Sequence, residues 1–154
     1  PDAVSPMTEL ATGKFERVLA DAAVPAGAAK RVLFCSGKIY YELRRTRDEL
    51  KESSTAIFRL EQLYPLAEET LEKLFQGLNP KLAITWVQEE PRNMGAWPFL
   101  RARFGDRLLG RHRFHVVSRA ESATPASGAA SSHKIEQERL LLAAFDKEPS
   151  AHGG

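Results

Sequence analysis

Four short apolar runs, each followed by a segment with helical periodicity, constrain the fold of this chain most strongly. The runs are continuous and do not alternate with polar residues, which is typical of strands covered on both faces in a parallel sheet. Parallel neighbours need a crossover connection, and such crossovers are right-handed. The pattern therefore predicts an α/β domain in three layers, with a mainly parallel sheet between helices on both faces. The predicted strands span residues 31–35, 56–60, 82–87 and 114–118.

Amphipathic segments lie between and after these strands. In the first of them, Ile39, Leu43 and Leu50 mark an apolar face, and Arg47 belongs to the polar face opposite. Pro98 favours a helix start because proline is tolerated in the first turn. Helices are predicted after Ile39, after Pro65, from Trp97 to Phe104 and over 134–145, with a short irregular helix over 8–20 and a long loop over 120–132.

Composition divides the chain into three parts. Residues 30–147 carry the predicted domain, residues 1–29 contain a linker around Pro25 and Gly27, and residues 148–154 are predicted to be a disordered tail. The chain begins with proline rather than methionine, which indicates a segment of a longer protein.

Charge and cysteine content exclude several classes of protein. The 22 basic and 20 acidic residues are interspersed, so no nucleic-acid groove is predicted. No apolar run approaches the ~20 residues of a membrane span, and the start is not a signal peptide. The single cysteine, Cys35, excludes a disulfide framework, which fits a reducing compartment. Its position in a strand favours a small buried hydrophobe over a reactive thiol.

Polar residues gather where the third strand should end. Gln88, Glu89 and Glu90 precede Pro91, which has no N–H for the ladder, and a turn follows. Open α/β sheets place ligands or partner surfaces at the carboxyl ends of their strands. Glu89 and Glu90 are candidates for an acid–base pair, but neighbouring residues point in different directions, so capping of the next helix or pairing with an arginine is favoured.

Other candidates for chemistry are few. Backbone amides around Ser36 and Lys38 are able to bind an anion, although a plain strand-to-helix turn is favoured. The four histidines have no zinc-type spacing, so no metal site is predicted. Arg59 lies inside a strand and needs a partner, for which Glu61, Glu89 and Glu90 are the candidates. These residues alone predict an α/β domain without a catalytic centre of its own.

Four ordered motifs nevertheless carry a resemblance that covers nearly the whole chain. They are FCSGKIYYEL at 34–43, RLEQLYP at 59–65, QEEPRNMGAW at 88–97, and Arg119 with Ser122, Pro125, Gly128, His133, Glu136 and Gln137. In these motifs the chain resembles the carboxyl-terminal domain of the thiamine-diphosphate-dependent decarboxylase, or first, component of the 2-oxoglutarate dehydrogenase complex.

The resemblance implies a transketolase C-terminal-like fold with about five strands and one antiparallel edge. It implies that thiamine diphosphate and magnesium are bound by preceding domains, linked through residues 1–29, and that this segment binds no cofactor and is inactive alone. The complete enzyme would decarboxylate 2-oxoglutarate in the tricarboxylic acid cycle and pass a succinyl group to a lipoyl arm. A 2-oxoadipate enzyme shares these motifs.

The partners implied by the resemblance are the cofactor-binding domains, a homodimer mate, and the succinyltransferase and lipoamide dehydrogenase components. The implied location is the bacterial cytoplasm, or the mitochondrial matrix in a eukaryote. A free-standing binding or regulatory module of the same fold is the alternative. No residue is predicted to be catalytic. The interface or regulatory candidates are Ser36, Lys38, Arg59, Gln62, Gln88, Glu89, Glu90, Asn93, Trp97, Arg119, Ser122 and His133. For Trp97 itself, a core position is slightly favoured.

Overall fold

A computed structural model of the chain describes residues 16–123 and 130–147. The strands are β1 Val18–Leu19, β2 Arg31–Cys35, β3 Thr55–Leu60, β4 Ile84–Pro91, β5 Arg107–Leu108 and β6 His112–Arg119. The helices are α1 Ile39–Glu49, α2 Glu68–Phe75, α3 Trp97–Phe104 and α4 Ala130–Ala144, with a 3₁₀ turn at Ala26–Ala28. Over the described ranges, no helix is long and apolar enough to cross a membrane.

The six strands form one sheet in the order β1-β3-β2-β4-β6-β5. The four central strands are parallel, as the continuous apolar runs predict. Both edges are antiparallel, because β1 pairs with β3 and β5 pairs with β6. The α/β class and the mainly parallel sheet are confirmed, and the strand count is six rather than about five.

Two apolar cores lie on the two faces of the sheet. Alternate residues of each strand contribute to the two cores: Phe34 points to one core and the adjacent Leu33 to the other. Helices α2 and α3 pack into the first core, and helices α1 and α4 pack into the second. In the first core the largest buried rings are Phe34, Phe58, Phe75 and Trp86, which meet edge to face at centroid distances of 5.0–5.7 Å.

Several predicted boundaries differ from the structure. The described part of the irregular helix over 8–20 is extended, and Val18 pairs with Leu60 in β1; residues 8–15 lie outside the described ranges. Helix α4 begins at Ala130 and not at residue 134, so the loop predicted over 120–132 is shorter. Strand β4 continues to Pro91 because an irregularity after Val87 lets the proline pair with β6 without donating to the ladder. Residues 148–154 lie outside the described part.

Arg47 is buried, although the helical pattern places it on a polar face. It pairs with Asp21, and the two side chains are 5% and 3% exposed. Asp21 also accepts the amide of Ile57 at 2.6 Å and that of Ala23 at 2.8 Å, while Arg47 donates to the Thr55 carbonyl at 3.1 Å. The pair therefore fastens the segment after β1 to α1 and to β3.

Removing one partner of this pair tests how much the pair contributes to the free energy of unfolding. Asp21→Ala leaves the Arg47 charge buried without its carboxylate, which costs about 3–5 kcal/mol of unfolding free energy. The matched control is Glu49→Ala, because the Arg45–Glu49 pair is about two-thirds exposed and is expected to contribute below ~0.5 kcal/mol. Urea unfolding of both variants measures the difference, and equally small losses would show that the buried pair does not fasten the fold.

Candidate functional site

The carboxyl ends of the central strands bring several of the predicted site residues together. The chain leaves β2 for β3 on one side and returns to β4 on the other, so the ends of β2 and β4 flank a topological switch point. Such a point opens a crevice in α/β sheets, and ligands bind there. Lys38, just after β2, contacts Glu89 of β4 across it, with 3.3 Å between Nζ and Oε1.

Gln137 of α4 bridges three side chains at this end of the sheet. Its amide nitrogen donates to Glu42 at 2.9 Å and to Glu89 at 3.1 Å, and its amide oxygen accepts from Arg119 at 3.0 Å. Arg119 lies 3.1 Å from the Nε2 of His133. Its side chain is only 13% exposed.

These residues form one continuous set, which we call the carboxyl-end network. Its members are Lys38, Glu42, Glu89, Arg119, His133 and Gln137. Each described charge in it faces an opposite charge or an amide of the same chain. The network therefore fills the crevice with the domain's own side chains and ties α4 to β4, β6 and α1.

Gln88 fixes the turn that follows β4. It is 4% exposed, and its amide nitrogen donates to the carbonyls of Pro91 at 3.1 Å and Met94 at 2.7 Å. Its oxygen accepts from the indole of Trp86 and the backbone amide of Trp97, both at 2.9 Å. The turn is thereby held against the core, and Gln88 uses its polar atoms inside the domain.

Gly95 is required by the same turn. Its φ is +66°, which favours glycine, and a Cβ there would lie 3.1 Å from the side-chain oxygen of Gln88 and 3.0 Å from that of Glu90. Glu90 thus belongs to the turn, whereas Glu89 belongs to the carboxyl-end network. The two acids point apart, as expected for sequence neighbours.

Arg59 is partly buried at the end of β3, with 13% of its side chain exposed. The structure pairs it with Glu61, one of its three candidate partners, so pairing with Glu89 or Glu90 is wrong. It also donates to the hydroxyl of Tyr41 at 2.9 Å and lies 4.7 Å from the centroid of the Tyr40 ring. Burial lowers the pKa of Arg59, but the Tyr41 bond and the Glu61 charge outweigh it, so the pKa rises and the side chain stays charged.

The remaining predicted residues divide between loops and core. Asn93 and Ser122 form a reciprocal clip, with side-chain to backbone bonds of 2.9 and 3.2 Å. Gln62 donates to two carbonyls of its own turn, and Ser36 is exposed. Trp97 is 5% exposed and belongs to the first core, which confirms the core position favoured for it.

Cys35 is fully buried at the end of β2. Burial raises the pKa of its thiol to about 12; the nearby Arg59 lowers it and Glu61 raises it. The thiol donates weakly to the Phe58 carbonyl at 3.7 Å. A thiol with such a pKa is a poor nucleophile near neutral pH, so the favoured role as a small buried hydrophobe is confirmed.

Sequence reasoning missed Glu42 and Gln137 as members of the network, although both stand in the quoted motifs. At this end of the sheet the charged side chains bind groups of the same chain. Lys38, just after β2, pairs with Glu89. The carboxylates of Glu42 and Glu89 both accept from the Gln137 amide. In the described ranges, no group of three histidine, cysteine or acidic side chains is placed to hold a metal ion.

A family model described as 2-oxoglutarate dehydrogenase C-terminal matches residues 4–145. The chain is similar to the 2-oxoglutarate dehydrogenase E1 component of Cupriavidus necator, with 40% identity over 95% of this chain and 16% of the relative. The Rickettsia prowazekii protein of the same name is 41% identical over 75% of this chain and 12% of the relative. The 2-oxoadipate dehydrogenase complex component E1 of Danio rerio is 36% identical over 93% and 16%. The chain thus spans about a sixth or less of these relatives.

Replacing Gln88 tests whether its amide holds the turn. Gln88→Met keeps the volume but removes the amide that pairs with the Trp86 indole and the Met94 carbonyl. The Pro91 carbonyl keeps its bond from the Met94 amide. An unpaired buried polar group costs about 1–3 kcal/mol, so the unfolding free energy is expected to fall by about 3 kcal/mol. Gln62→Met is the matched control, expected below about 1 kcal/mol because its bonds are exposed. Equal urea midpoints for the two variants would contradict this role of Gln88.

Proposed function

The chain belongs to the 2-oxoglutarate dehydrogenase C-terminal family, and on that premise we propose that it is the non-catalytic carboxyl-terminal domain of a 2-oxoglutarate dehydrogenase E1 component. The observation that carries the proposal is the extent of the match: the family model covers residues 4–145, while the chain corresponds to only 16% of the Cupriavidus necator relative. The parent protein would be an oxidoreductase, in keeping with the names of these relatives.

The carboxyl-end network supports a non-catalytic role for the domain. A catalytic centre in this fold would be expected at the switch point, where Glu89 binds both Lys38 and Gln137. On this proposal, thiamine diphosphate and magnesium are held by other domains of the parent. Those domains decarboxylate 2-oxoglutarate in the tricarboxylic acid cycle and transfer the succinyl group to the lipoyl arm of the second component.

The domain's own contribution is then structural. The turn over 88–97 and the segment after β6 lie side by side, joined by the Asn93–Ser122 clip. Both present directional polar groups at the surface, which suits contacts to the preceding cofactor domains and to a homodimer mate. The succinyltransferase and lipoamide dehydrogenase components are the further partners of the assembled complex on this proposal.

The second candidate is the corresponding domain of a 2-oxoadipate dehydrogenase. The Danio rerio relative with that name matches at 36% identity over 93% of this chain, close to the values for the 2-oxoglutarate relatives. Rates of the full-length parent with the two 2-oxo acids decide between the candidates, because substrate choice on this proposal lies in the cofactor domains and not in this one.

A double substitution in the full-length parent tests whether these two segments brace the homodimer. Asn93→Ala with Arg119→Ala removes the clip and opens the carboxyl-end network. If these segments shape the dimer contact, the dimer Kd is expected to rise about tenfold or more. Sedimentation velocity at nanomolar protein measures it, with activity recovering at micromolar protein.

The matched control for this experiment is Arg45→Ala with Glu49→Ala, on the exposed face of α1. It also removes two polar side chains but leaves both segments intact, so the dimer is expected to be unchanged. An unchanged dimer with normal activity in the Asn93 and Arg119 double variant would contradict the proposed brace.

A further inference from the structure

The outer edge of β6 is covered over only part of its length. Strand β5 pairs with His112 and Arg113 and then ends, and Phe114 donates its amide to the Asp106 carbonyl at 2.9 Å on the same side. Because successive residues of a strand direct their backbone groups to alternate sides, Val116 and Ser118 point to this outer side as well. Among the residues that the structure describes, no strand pairs with them there.

A groove of about 520 Å³ lies beside this open edge. Its rim is basic, with Arg92, Arg101, Arg107 and Arg113 opposed by one acid, Asp106. The chain as a whole carries a net charge of only +2. The groove therefore concentrates positive charge well beyond the average of the chain.

Two of these cations are available to a ligand. Arg101 binds Asp106 at 2.5 Å, and Arg107 donates to the Arg111 carbonyl at 3.3 Å. Arg92 and Arg113 are exposed, and the described residues offer neither of them a salt-bridge partner. Guanidinium groups in this state favour carboxylates, which they bind through paired hydrogen bonds.

We propose that the outer edge of β6 and this basic groove together bind an extended acidic segment of a partner polypeptide, which adds to the sheet as a further strand. The open edge supplies backbone donors and acceptors at Val116 and Ser118, and the arginines select acidic side chains. Proteins that hold single-stranded nucleic acid use aromatic rings on which its bases stack, but Trp97 and Phe114 in the groove are 5% and 3% exposed. The inference goes beyond the proposed function and does not depend on it.

Fluorescence anisotropy with the full chain tests the proposal. The probe is a short fluorescein-labelled peptide that alternates glutamate with valine, and it is expected to bind saturably. The same peptide with lysine in place of glutamate is expected not to bind. A version N-methylated at alternate residues is expected to lose binding, because it keeps the charges but cannot pair along the edge. Amide exchange of Val116 and Ser118 is expected to slow when the acidic peptide is added.

Variants of Arg92 and Arg113 locate the site. Arg92→Gln with Arg113→Gln is expected to raise the peptide Kd about tenfold or more, and both side chains are exposed, so the fold is preserved. Arg44→Gln with Arg45→Gln makes the same charge change on the exposed face of α1 and is expected to leave the Kd unchanged. Failure of the acidic peptide to bind, equal binding of the N-methylated peptide, or equal affinity for a single-stranded oligonucleotide would overturn the proposal.

Discussion

The buried amide of Gln88 determines how the central strand β4 leaves the sheet. Its amide nitrogen donates to the carbonyls of Pro91 and Met94, and its amide oxygen accepts from the buried indole of Trp86, so one glutamine side chain bonds all three groups. Its oxygen also holds the first amide of α3. The turn that results brings Pro91 alongside Arg119, so the end of β6 is fixed by the same arrangement.

The carboxyl-end network follows from that arrangement. With β4 extended to Pro91, Glu89 and Arg119 come within reach of Gln137 on α4, and Lys38 closes the side nearest β2. A parallel sheet of this kind usually leaves a crevice at its switch point for a ligand. Here the ends of β2 and β4 carry hydrogen bonds between elements of the domain.

The central strands and the helices between them were predictable because each carries a pattern of its own. Strand β2 matches its predicted range, since its continuous apolar run is bounded by a turn. Strands β1 and β5 are two residues each, too short for any periodicity. Arg47 was placed on a polar face because its partner, Asp21, is 26 residues away and outside the helix. For Arg59, Glu61 was foreseeable because it stands two residues along the same extended segment.

The candidate residues are identified mainly by the resemblance, but only the fold shows which of them are in contact. Glu89 and Arg119 are thirty residues apart in the chain, and no local pattern indicates that Gln137 lies between them.

Calorimetric titration of the chain with thiamine diphosphate and magnesium tests most directly whether this domain binds no cofactor of its own. No heat beyond dilution is expected, and a micromolar Kd would contradict the non-catalytic role.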